Sequence, residues 1–227
     1  MEKKLEITAD GSHTITLPSL DEQYHSLNGA VTEAYHVFIR NGLDFFVGSH
    51  PGNIPIKILE AGFGTGLNAF ITLIEARKRG LEISYVSLEA YPLTKQEYSA
   101  LNYPGTVPHG GTLADEFLHL HECPWNTTVE ICKGFSLEKR HAGFENMSDR
   151  ECHSIVFYDA FSPRVQPELW TGEVLSRFYH ALAPQGVFVT YCAKGSVRRT
   201  LSAAGFSMER LPGPPGKREM LRGIKTT

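Results

Sequence analysis

An α/β fold, built on a mostly parallel seven-stranded sheet, follows from three observations. From Ile56 onward, short apolar runs alternate with stretches of helical period, the pattern of parallel strands with helices on both faces. A glycine-rich elbow, Gly62-Phe63-Gly64-Thr65-Gly66, stands where the first of these strands turns into the first helix. The last two strands have no helix between them. A parallel crossover takes roughly a dozen residues or more, so the final strand is expected to run antiparallel.

Ahead of this core, Leu5–Thr8 and His13–Leu17 alternate around Asp10-Gly11 and read as a hairpin. Asn28 to Asn41 carries Ala30, Ala34, Val37 and Phe38 at helical spacing and is closed by Gly42. Pro51-Gly52-Asn53 reads as a loop, so residues 1–52 are expected to form an extension packed on a domain spanning 53–227. The strands of that domain are Ile56–Leu59, Ile83–Leu88, Thr128–Cys132, Ser154–Tyr158, Gly186–Cys192, Phe206–Leu211 and Glu219–Ile224. Gly66–Arg79 is a helix with Leu67, Phe70, Ile71 and Ile74 on one face. Leu93–Leu101, Leu113–His121, Thr171–Leu182 and Ser196–Ala204 follow, the last stopped by Gly205.

Composition narrows the class. With 227 residues, 41% hydrophobic and 21% charged, the chain can bury one globular core. No apolar run approaches the ~20 residues that span a bilayer, and Met1-Glu2-Lys3-Lys4-Leu5 leads into no signal sequence. Cys123, Cys132, Cys152 and Cys192 are scattered. They suggest no zinc site and no disulfide framework, but free thiols in a reducing cytoplasm. A monomer without metal is the expectation. Net charge is −3, yet Thr190 to Thr227 holds eight basic residues (Lys194, Arg198, Arg199, Arg210, Lys217, Arg218, Arg222, Lys225) against Glu209 and Glu219. This end suits a polyanionic partner; the competing reading is a solvated basic face.

The elbow narrows the ligand. Glycines in a strand-to-helix turn allow a sharp bend and close approach to a ligand. Glu89 ends the next strand, 23 residues past Gly66, where a carboxylate can hold ribose hydroxyls. No Gly-Lys-Ser/Thr ending follows, so a triphosphate loop is not expected. An acid at Glu60 would repel a pyrophosphate and suits the cationic sulfonium and amine of S-adenosyl-L-methionine. In the competing reading Glu60 points away and caps something local.

Asp159 ends the strand Ser154–Tyr158 and begins Asp159-Ala160-Phe161-Ser162-Pro163. In open α/β sheets ligands sit at the carboxyl ends of strands, which places Asp159 in the cleft. Phe161, Pro163 and Trp170 are expected to supply its apolar walls. An alkyl ammonium must lose a proton before it can attack a methyl group, and Asp159 can accept that proton or only orient the amine. Capping of the following helix is the plainer role.

Together these pieces resemble the methyltransferase module of bacterial tRNA 5-methylaminomethyl-2-thiouridine biosynthesis proteins (MnmC-like, MnmD-type). The resemblance rests on Glu60-Ala-Gly-Phe-Gly-Thr-Gly-Leu-Asn68, Asp159-Ala-Phe-Ser-Pro163 and Pro167-Glu-Leu-Trp170. It extends to Ser196-Val-Arg-Arg-Thr-Leu, Ala204-Gly-Phe206, Gly216-Lys-Arg-Glu-Met-Leu221, and Tyr24-His25-Ser26 with Glu33 and Val37-Phe38. It implies a Rossmann-like class I methyltransferase that methylates 5-aminomethyl(-2-thio)uridine at the wobble position of tRNA. Glu60, Gly62, Phe63, Gly64, Gly66, Asn68, Glu89 and Asp159 would form the S-adenosyl-L-methionine pocket. Asp159 and Phe161 would serve catalysis, and Arg198, Arg199, Lys217 and Arg218 would meet phosphates of the anticodon stem-loop. The flavin-dependent oxidase of bifunctional members is expected to be absent. The alternative is a methyl- or aminopropyl-transferase of the same shape acting on a small-molecule amine.

Overall fold

The structure, a computed structural model, describes residues 2–52 and 54–226. Asn53 of the expected loop, with Met1 and Thr227, lies outside the described residues. The alternating N-terminal residues form β1 (Lys4–Ile7) and β2 (His13–Leu17), paired antiparallel with Ile7 opposite His13. A short β3 (Glu22–Gln23) completes a three-stranded sheet. Asp10, in the β1–β2 loop, accepts from Thr32 N at 2.8 Å and so supplies a cap to the helix that follows.

That helix begins as α1 (Ala30–Ala34), continues through wider π-type turns over Tyr35–Asp44 and ends as α2 (Phe45–Ser49). The expected stop at Gly42 is therefore corrected. A Cβ there would lie 3.0 Å from Phe157 Cε1 and 3.1 Å from Val189 Cγ2, so this glycine lets the helix press onto the central sheet rather than ending it.

The remaining strands are β4 (Ile56–Ala61), β5 (Ile83–Leu88), β6 (Thr128–Cys132), β7 (Phe135–Arg140), β8 (His153–Tyr158), β9 (Leu182–Thr190), β10 (Ser207–Pro212) and β11 (Glu219–Ile224). They form one sheet in the order β10-β11-β9-β8-β4-β5-β7-β6. β11 runs antiparallel to both β9 and β10, as a short connection requires. Among the described residues the sheet has eight strands rather than seven. Phe135–Arg140 pairs in parallel with β5, whereas Thr128–Cys132 forms an antiparallel edge on it. The sequence hid β7 because its inward positions are Phe135, Leu137 and Lys139, and a lysine that is 0% exposed interrupts the apolar alternation.

The helices α3 (Leu67–Arg79), α4 (Lys95–Ser99), α5 (Tyr103–Thr106), α6 (Ala114–Glu122), α7 (Gly172–Ala181) and α8 (Gly195–Ala204) connect the strands. Apolar packing divides into two clusters. One joins Phe38, Phe70, Phe117 and Phe157; the other joins Tyr158, Phe178, Phe188 and Leu201. β4 lies between β5 and β8; the strand order reverses there, which opens a crevice at the carboxyl ends of β4 and β8. Among the described residues no helix is long and apolar enough to cross a membrane.

Candidate active site

A cavity of about 400 Å³ occupies that crevice. The elbow forms its floor. Gly62 has φ 95°, and a Cβ on it would lie 2.9 Å from the Asp159 backbone oxygen; Gly66 has φ 73°, and its Cβ would lie 2.8 Å from His121 Nε2. Only glycine combines that backbone with that approach. Glu89 lines the same cavity and is held by two amides: Gly64 N donates to Oε2 at 2.9 Å and Tyr91 N to Oε1 at 2.8 Å. A carboxylate has about four acceptor sites, so capacity remains for ligand hydroxyls.

Asp159 follows β8, with its amide bonded to Ala61 O at 3.0 Å. Asn68 Nδ2 donates to Asp159 Oδ2 at 2.8 Å, while Asn68 Oδ1 is buried without a partner. Burial pushes the Asp159 carboxyl up to about 7; nearby Glu33 adds to the rise, and the Asn68 hydrogen bond and Lys217 oppose it. Phe161 also lines the cavity, edge-on to Tyr24 with ring centres 5.0 Å apart. Trp170 and Pro163 do not. Trp170 is buried against Tyr158 and donates Nε1 to Phe161 O at 2.8 Å, so it braces the wall from behind.

Glu60 needs a correction as well. Its side chain is 0% exposed and lies outside the cavity lining, beneath the elbow, where Oε2 accepts from Ser87 Oγ at 2.6 Å and Oε1 has no partner. Burial raises its carboxyl to about 8, so near neutral pH it is mostly uncharged. The carboxyl groups that line the cavity come instead from Glu89, Asp159 and the rim residues Glu22, Glu33, Glu145 and Glu168. Phe63, Gly64 and Asn68 line the cavity as the elbow motif implies.

The basic cluster divides. Lys217 was expected on a phosphate; it lines the cavity instead, bonded to the buried Glu33 with Nζ 3.9 Å from the Tyr191 ring centre. Arg222 pairs with Glu209 at 2.7 Å and stacks on Phe45. Lys225 is buried, donating to Leu182 O at 2.8 Å and pairing with Glu151 at 3.0 Å. Arg199 and Arg218 are exposed, and Arg198 is half-buried.

Tyr24, His25, Glu33, Phe144 and Tyr191 also line the cavity. The family-like entry segment contains the first three, but no local pattern marks Phe144 or Tyr191. Asp149, Cys152 and His153 place possible ligand atoms within 4.8 Å of one another, away from the cavity. Arg140 already pairs with Asp149 at 2.9 Å.

A family model described as S-adenosyl-L-methionine-dependent methyltransferase matches residues 143–226. The tRNA 5-methylaminomethyl-2-thiouridine biosynthesis bifunctional protein MnmC of Aromatoleum aromaticum is 34% identical over 229 residues, covering 97% of this chain and 35% of that protein. The MnmC of Leptospira borgpetersenii serovar Hardjo-bovis is 33% identical, covering 89% of this chain and 32% of its own length. The chain thus spans about a third of the curated relatives it matches. Among solved structures, MNMC2 from Aquifex aeolicus aligns with TM-score 0.77 and 24% identity over 98% of this chain and 69% of that one. Spermidine synthase from Thermotoga maritima aligns with TM-score 0.59 and 16% identity over 99% and 69%. Both share the fold.

Proposed function

We propose that this chain, an S-adenosyl-L-methionine-dependent methyltransferase related along nearly its whole length to MnmC, methylates the primary amine of 5-aminomethyl(-2-thio)uridine at the tRNA wobble position. The product is 5-methylaminomethyl(-2-thio)uridine. The observation that carries this reading is Asp159, a carboxyl with affinity for a proton near neutral pH, set among Phe161, Tyr24 and the elbow.

When bound, S-adenosyl-L-methionine supplies an electrophilic methyl group. Gly62, Phe63, Gly64 and Asn68 would hold it with Glu89, whose fixed oxygens suit ribose hydroxyls, while Gly66 turns the elbow behind the cavity lining against His121. Asp159 takes a proton from the substrate ammonium and so exposes the nitrogen lone pair. Phe161 and Tyr24 wall the uracil ring. Among the described residues, Glu22, Glu33, Glu89, Glu145, Glu168 and Asp159 line the cavity against one lysine, Lys217, a balance that draws in cations and turns phosphates outward. Arg198, Arg199 and Arg218 then meet the RNA backbone outside, which fixes position without reading sequence. A cytoplasmic setting accompanies this role.

The test supplies bulk tRNA from a strain lacking this modification step, together with radiolabelled donor. Label is expected in a wobble-position uridine derivative. Unlabelled tRNA with label on added polyamines overturns the proposal in favour of a small-amine transferase.

A further inference from the structure

We propose that Lys217 is the specificity-determining residue for the nucleobase, donating a hydrogen bond to the 4-carbonyl of uracil and thereby excluding cytosine; this rests on the methyl-transfer reading above. The ammonium is fixed on two sides. It is bonded to Glu33 Oε1, and Tyr191 presents its ring 3.9 Å away. Both supports are themselves held. Glu33 is 6% exposed and its Oε2 accepts from Ser26 N at 2.9 Å, while the Tyr191 hydroxyl donates to Ala160 O at 2.8 Å. An ammonium has three donors. Glu33 uses one, and the lysine still lines the cavity.

The chemistry of the remaining lining makes this donor informative. Among the described residues around the cavity, Lys217 is the single side chain with a permanent positive charge, and six others carry carboxyls. Ionised carboxylates can receive the substrate's ammonium but cannot donate to a carbonyl. In a 5-aminomethyl pyrimidine the amine on C5 lies beside the substituent on C4. That substituent is a carbonyl acceptor in uracil and an amino donor in cytosine. Asp159 facing the amine and Lys217 facing the 4-position match uracil on both points. With cytosine, the ammonium would confront an amino group, two donors facing each other with no acceptor between them. Such a site discriminates far better than apolar contact does.

The experiment uses anticodon stem-loop RNAs carrying 5-aminomethyluridine or 5-aminomethylcytidine at the wobble position, with single-turnover methyl transfer as the readout. The intact chain is expected to prefer the uridine RNA. Lys217→Met, which also removes a charge that helps keep Asp159 ionised, is expected to slow the uridine RNA roughly 10- to 100-fold more than the cytidine RNA, the range of a hydrogen bond to a charged group. Lys217→Arg should keep the preference. Because Lys217→Met strands a buried carboxylate, the double variant Glu33→Gln/Lys217→Met is measured in parallel and should lose the preference equally. A uridine-to-cytidine ratio unchanged in the double variant overturns the role of Lys217 alone. An intact chain inactive on the uridine RNA overturns the methyl-transfer reading and this inference with it.

Discussion

Asp159 owes its proton affinity to its surroundings. Burial disfavours its charged form, Glu33 adds like-charge repulsion, and Asn68 and Lys217 oppose both, leaving the carboxyl at about 7 instead of the ordinary 3.8. With the folded value raised, the neutral acid dominates below pH 7 and the carboxylate above it. Only the carboxylate can take the amine's proton. The rate of methyl transfer at limiting RNA is therefore expected to climb with pH until about 7 and then flatten. Asp159→Asn should remove that inflection and lower turnover by roughly 10²- to 10⁴-fold, the usual worth of a positioned base. Calorimetry with S-adenosylhomocysteine should show donor-site binding retained; near-normal turnover would remove Asp159 from the chemistry. At this scale the sequence located Asp159, Phe161 and Glu89 in the cavity because each sits at or just past a strand's carboxyl end. It misjudged Glu60 and Lys217, because facing and pairing are tertiary facts: Glu60 turns beneath its own elbow, and the partner of Lys217 lies 184 residues away.

Among elements, those with one continuous apolar signal were readable. β4, β5 and β8 sit close to their expected bounds, and α8 ends at Gly205 as its sequence indicates. β7 was not readable, since a buried lysine interrupts its pattern. The N-terminal helix was cut short, because glycine marks both a helix stop and a site of close packing. Contact decides between the two at Gly42. Replacing a helical glycine by a better helix former gains up to ~1 kcal/mol when the position is free. Here the added atoms would meet Phe157 and Val189, both 0% exposed and unable to retreat. Gly42→Val is accordingly expected to destabilise the protein by about 1–3 kcal/mol through overpacking. The check is a urea denaturation midpoint, and a midpoint at or above that of the parent chain would show that the helix–sheet gap is slack. The packing has a consequence for the site, because the same helix carries Glu33 into the cavity.

On the scale of the whole molecule, charge is sorted by depth. The C-terminal basic excess looks uniform in sequence, but folding withdraws Lys217, Arg222 and Lys225 into pairs with Glu33, Glu209 and Glu151. Arg199 and Arg218 stay exposed outside a cavity rich in carboxylates. A polyanion would be held outside while one base carrying a cation enters. If Arg198, Arg199 and Arg218 meet backbone phosphates, each contact releases counterions on binding, worth about 0.7–0.9 in the slope of log affinity against log salt. Changing all three to Glu should weaken tRNA binding most at low salt and reduce that slope by roughly 2–3. Reversing Arg222 should not flatten the slope in this way, because its charge is already spent on Glu209 and Phe45; its cost should appear in stability instead. Filter binding across a salt series separates the two outcomes. A slope unchanged in the triple variant would mean that the RNA approaches by another face and that these arginines are merely solvated.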